Sequence, residues 1–195
     1  MAIDTGLAIG CGDLQATGGI KRILLRAWAD GDTIVYGSGT HTITSIKDIG
    51  GTDADWGVYE FKNETPALTI NATKENGSTA FECGLSFMLP KLEVGKANVV
   101  QDLLTSCLMI IAVDTNDKAF VLGVSEKYEN ESVASRNQTF GNFASAEGGT
   151  GAAYSDESGI TISLMARQFE MPREYIHSAA TGIVVAATGL TATTT

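Results

Sequence analysis

A chain of 195 residues with 44% hydrophobic side chains has the length and apolar content to bury one core without disulfide or metal staples. Its 13 Lys and Arg against 23 Asp and Glu leave a formal net charge of -10, which opposes binding to nucleic-acid phosphates or to anionic membranes. No apolar run approaches the ~18 residues of a membrane-spanning helix, and the N-terminal MAIDTGLAIGCGD lacks the basic region and sustained apolar stretch of a secretion signal.

The elements alternate apolar and polar residues for most of the chain, the period of half-buried strands. The first strand is predicted over GIKRILLRAW, residues 19–28, ending at the turn-rich ADGD. Short strands follow at Thr33–Tyr36 and Thr42–Ile46, and after the polar KDIGGTDADWG comes VYEFK. ALTINATK and TAFECGLSFML flank ENGS, where Asn76-Gly77 marks a hairpin because both residues accept positive φ. In its second arm Phe81, Cys83, Leu85, Phe87 and Leu89 share one face, expected to be core, and Ala80, Glu82, Gly84 and Ser86 share the other.

From Lys96 to Cys107 the period changes: Val99, Val100, Leu103, Leu104 and Cys107 recur at helical spacing, predicting one amphipathic helix of about three turns. LMIIAVD and KAFVLGVS, joined by TND, are nearly continuous apolar runs and read as central strands covered on both faces. Between Ser125 and Ser158 lies a polar excursion rich in Gly and Ser, too long for an ordinary connection. GITISLMARQF then alternates again, with Ile160, Ile162, Leu164 and Ala166 on one side, and Gly182 to Ala187 offers one more strand before a tail of small residues. The expected fold is mainly β: an antiparallel sandwich or open barrel over residues 19–175 with one flanking helix, an N-terminal arm at 1–18 and a C-terminal arm at 176–195.

Reactive side chains form no constellation. Ser38, His41 and Asp48 can be drawn as a hydrolytic triad, but no nucleophile elbow surrounds them, and serine near histidine is common in β-rich chains. DTNDK, Asp114 to Lys118, lacks the spacing and terminal glutamate of a calcium loop and reads better as a tight turn. Asp48, Asp53 and Asp55 read as a solvated loop, and the Gly-rich GSGTHT and EGGTGAAY match no phosphate-binding fingerprint. Asn63 and Asn71 open Asn-x-Ser/Thr triplets, which mean little without a secretion signal. Cys11, Cys83 and Cys107 are widely spaced, without a CxxC or Cys/His pairing; Cys83 and Cys107 read as small buried hydrophobes of a protein made in a reducing cytoplasm. Lys21, Arg22 and Arg26 form a small basic cluster, read as a solvated or partner-facing strand edge. The expectation is a protein that is not an enzyme and takes no cofactor and no metal.

Strand-rich domains must cover or pair their sheet edges, and closed assembly of identical copies is a common solution. The runs GGIKRILLRAW, GVYEF, ALTINATKENGSTAFECGLSFMLPKL, LLTSCLMIIAVDTNDKAFVLG and SGITISLMARQFEMP, taken in this order, resemble tail tube proteins of tailed bacteriophages over roughly residues 11 to 175. That resemblance implies a β sandwich or barrel with a flanking helix, hexameric rings stacked into a hollow tube, and strands from all subunits lining a channel for DNA.

Carried onto this chain, it makes Thr69, Asn71, Thr73, Glu82 and Ser86 candidate lumen-facing residues, and the 125–158 excursion and both termini candidate contacts between rings. The implied partners are further copies of the chain and other tail or virion proteins. DNA would pass without specific binding, no membrane is involved, and the protein would reside in the virion after synthesis in the host cytoplasm. An acidic wall would repel DNA phosphates, though only within the ~8–10 Å over which salt leaves such forces unscreened. Two other readings are a capsid decoration or head–tail connector protein, and a monomeric carbohydrate-binding or hydrolytic β domain, for which an aromatic platform and paired acids are missing.

Overall fold

Seven residues organise the molecule. Strand β7 (Leu108–Asp114) is buried from Leu108 to Val113, so its alternating side chains enter two different cores. The computed structural model describes residues 18–29, 32–38, 41–47, 56–60, 65–75, 78–126, 140–150 and 158–176. Around β7 lie β1 (Ile20–Ala27), β2 (Thr33–Tyr36), β3 (Thr42–Lys47), β4 (Gly57–Glu60), β5 (Ala67–Glu75), β6 (Ser78–Pro90), α1 (Val94–Thr105), β8 (Ala119–Leu122), β9 (Gly141–Gly149), β10 (Gly159–Gln168) and β11 (Arg173–Tyr175).

Leu108, Ile110 and Ala112 of β7 meet Ile23 and Leu25 of β1, Cys83, Leu85 and Phe87 of β6, and Ile160, Ile162 and Leu164 of β10 in the first core. Met109, Ile111 and Val113 meet Leu24, Ile34, Ile43, Ile46, Val121 and Tyr175 in the second. Each buried aliphatic side chain contributes about 1.5–3 kcal/mol. The continuous apolar runs of β1 and β7 thus follow from cover on both sides, as the sequence predicts for β7 and β8.

The strands form one mixed sheet in the order β2-β3-β11-β8-β7-β9-β10-β6-β5, with β1 pairing β7 and β4. It does not close into a barrel. Pairing is antiparallel except between β11 and β3. The β7–β9 link is a single pair, Leu108 with Gly141. Beyond it β10 and β6 place their apolar side in the same core as one side of β7, so the sheet turns back on itself there. Glycine is required at this crossing: Gly123 has φ +81, and a Cβ on it would lie 2.5 Å from the Gly141 nitrogen.

Three expectations need correction. The 125–158 excursion contains a nine-residue strand, β9, paired along β10. Beyond Gly141 its side chains are almost all exposed, so it carries no alternating apolar signal and is held by backbone pairing. The helix runs Val94–Thr105 rather than Lys96–Cys107, because Ser106 turns extended (φ -97, ψ 138) and the Cys107 carbonyl accepts the Trp28 N–H at 2.8 Å, joining the β1–β7 ladder. Cys107 therefore lies between helix and strand, and Leu104 points outward, leaving Leu103 as the helix's buried residue. Finally, β1 is flanked by β7 and, over Arg22–Leu25, by β4, so Arg22 sits between two strands while Lys21 and Arg26 lie beyond the β4 pairing. The predicted arms and the 182–187 strand lie outside the described residues.

Candidate assembly face

Strands β5, β6, β10 and β9 form a four-stranded antiparallel layer whose inner side is the first core. Register fixes what its outer side carries. Thr69 pairs with Gly84, Asn71 with Glu82, Thr73 with Ala80 and Ala67 with Ser86. Across the next ladder Ser86 pairs with Ser163, Gly84 with Met165 and Glu82 with Arg167. All five candidate residues, Thr69, Asn71, Thr73, Glu82 and Ser86, therefore share one face. The three on β5 are exposed, and Glu82 and Ser86 are half-buried.

That face is mainly polar, with short hydroxyl and amide side chains around the Glu82–Arg167 pair and one exposed apolar side chain, Met165. Thr69 Oγ1 donates to the Gly84 carbonyl at 3.2 Å, and Thr73 Oγ1 donates to the Ala80 carbonyl at 3.4 Å, tying β5 to β6 beyond the backbone ladder. The Glu82 carboxylate lies 3.8 Å from Arg167 Nε. The electrostatics of the face thus differ from those of the whole chain: Glu82 has a cation beside it, so the overall charge of -10 does not translate into a uniformly acidic wall here. Pairing β9 adds exposed Ser145 and Glu147 opposite Ser163 and Thr161. Reading β9 as loop hid these two residues; their only sequence signal was the run of small residues beside Phe143.

At the end of the layer, β5 pairs with β6 along all nine of its residues, and its other edge has no partner strand among the described residues. Near its start a mainly apolar recess of about 320 Å³ is lined by Ile20, Pro66, Leu68, Phe120 and Asp114, among others.

Family models, curated proteins and solved structures yield no match to this chain. The face must be read from its own chemistry.

Other sequence candidates find ordinary partners. His41 Nε2 lies 2.7 Å from the Met171 carbonyl, which requires the proton on that nitrogen, and Ser38 is exposed in a turn. Asp114 Oδ1 accepts the Asn116 and Lys118 N–H groups at 2.9 and 2.7 Å, closing the β7–β8 turn, where Asp117 adopts φ 59. The basic cluster is dispersed: Lys21 pairs with Asp117 at 3.0 Å, and Arg26 grips the buried Asp32 with Nη2 at 2.7 Å and Nε at 3.3 Å. Cys83 is buried, and that burial pushes its thiol up to about 11. Asp48, Asp53, Asp55, Asn63, Cys11 and His177 lie outside the described residues.

Proposed function

We propose that the chain is a structural subunit that assembles side by side with its own copies, and that the assembly is a tail tube of stacked rings through which DNA passes. The open edge of β5 carries this reading. A nine-residue strand with one unpaired side offers a row of N–H and C=O groups to a neighbouring strand, and such an edge is normally blunted, covered or paired. Its outer face carries the short polar residues Thr69, Asn71 and Thr73, with no proline and no helix lying across it among the described residues.

The face beside that edge suits the wall of a conduit. Thr69, Asn71, Thr73 and Ser86 present hydroxyl and amide groups that hold water, and the Glu82–Arg167 pair leaves no strong local field to capture phosphates. Repeated around an axis, such a wall offers DNA neither a basic patch nor an aromatic platform on which to stall. The resemblance of the sequence to tail tube proteins adds the stacked-ring geometry to this reading.

Electron microscopy of the purified full-length chain over a range of concentrations, with light scattering alongside, is the test. Rings or short tubes with a central hole are expected. A species that stays monomeric at every concentration overturns the assembly reading, while binding to preformed capsids without self-assembly would favour a decoration or connector protein.

A further inference from the structure

Strand β11 is three residues long, yet among the described residues it is the backbone link between the β2–β3 hairpin and the rest of the sheet. It pairs through Glu174–Thr42 and Tyr175–Ile43 on one side and Arg173–Val121 and Glu174–Phe120 on the other. Ladders this short hold weakly on their own, so side chains must keep the strand seated.

A charged cluster is built around it. Arg173 is only 8% exposed, and its Nη2 lies 2.5 Å from Glu126 Oε2 and 2.9 Å from Glu170 Oε2. Glu170 Oε1 accepts the Glu126 backbone N–H at 2.7 Å, so one carboxylate holds both the guanidinium and the chain leaving β8. From β2, the Tyr36 ring lies under the guanidinium at 4.9 Å. His41, at the start of β3, contacts the Met171 carbonyl, and its charge favours ionised Glu170. On the far side Lys118 binds Glu174 at 2.6 Å.

We propose that Arg173, Glu170 and Glu126 form an acid-releasable latch that keeps β11 seated between β3 and β8. Neutralising Glu170 removes from the buried Arg173 guanidinium the carboxylate that also holds the Glu126 N–H, which is costlier than losing an exposed ion pair. Burial pushes the Glu170 carboxyl up, but hydrogen bonds from Arg173 and from the Glu126 N–H, with the charges of Arg173 and His41, outweigh it and hold it below the usual carboxylate range. A depressed folded value means that the latch contributes its full stability above the ordinary carboxylate pKa and loses it as pH falls through the lower folded one. The latch does not depend on the assembly reading.

Hydrogen exchange on the full chain between about pH 7 and about pH 3 tests it, with rates converted to protection factors to remove the intrinsic pH dependence. Residues 123–126 and 173–176 should lose protection by about tenfold or more while β6 and β10 keep theirs. Glu170→Gln should show the acid behaviour at neutral pH, and Arg173→Met should remove the pH dependence. Protection lost only together with β6 and β10, or kept at all pH values, overturns the latch. So does wild-type protection of β11 at neutral pH in Glu170→Gln, a conservative change that decides the matter should Arg173→Met fail to fold.

Discussion

Thr69 Oγ1 hydrogen-bonds the carbonyl of Gly84 directly across the β5–β6 ladder, and a Cβ added at Gly84 would sit 2.8 Å from that same oxygen. A hydroxyl that is tied to one residue's backbone thus also occupies the space its side chain would take. Gly84→Ala should force Thr69 off its acceptor and cost about 1 kcal/mol, the net value of one hydrogen bond. In a Thr69→Ala background nothing else stands within 4 Å of the new methyl group. There the same change should be neutral or stabilising, since alanine loses less backbone freedom on folding than glycine. Urea denaturation of the four proteins reads out this reversal of sign.

Asp32 is the carboxylate to remove for a large effect. Its side chain is fully buried, it receives Arg26 through both oxygens, and Oδ2 also accepts the Ala29 N–H at 3.1 Å. Asp32→Ala should cost about 3 kcal/mol by removing a buried carboxylate that receives Arg26 through both oxygens and the Ala29 N–H as well. Arg26→Met combined with Asp32→Ala should recover part of that loss, because the guanidinium is removed together with the carboxylate it binds. Additive costs in the double variant would show that the pair is not coupled.

Assembly through β5 has a signature in a proline scan. Along an antiparallel strand successive N–H groups point to opposite neighbours. Of Asn71→Pro and Ala72→Pro, one removes a bond to β6 and the other an outward donor. The first should lower thermal stability by several degrees. The second should leave the isolated fold closer to intact and prevent rings from forming, as followed by circular dichroism and light scattering. Equal assembly in both variants would remove β5 from the interface.

Cys83 should be chemically silent. In a variant with Cys11 and Cys107 replaced by Ser, a thiol reagent at about pH 8 should leave Cys83 unlabelled until denaturant is added, since the thiolate is the reactive form. Rapid labelling of the native protein would show that the β6 core side opens readily.

Much of the fold was legible because β6, β7 and β10 write their burial in side-chain period. Alternation from Cys83 to Leu89 named one core face, though Phe81 at its start is only half-buried, and unbroken apolarity from Leu108 to Val113 announced cover on both sides. The same alternation placed Glu82 and Ser86 opposite the core, and register then brought Thr69, Asn71 and Thr73 beside them. What stayed hidden had no period to show. β9 is held by its backbone with nearly every side chain in water, β11 is too short to alternate, and the Arg173 cluster joins residues 47 positions apart in the chain. Leu104 fits the helical pattern yet points outward, because α1 covers the layer only through its Leu103 side.

The double flanking of β1 also has a temporal meaning. Ile23 faces Tyr59 on one edge and Ala112 on the other, so β1 leaves the ribosome long before its second neighbour exists. At about 5–20 residues per second, synthesis keeps an apolar strand waiting for several seconds with only β4 available to it. Nascent chains of this protein should therefore engage holding chaperones until β7 emerges, and truncation before Leu108 should yield an insoluble product rather than a smaller domain.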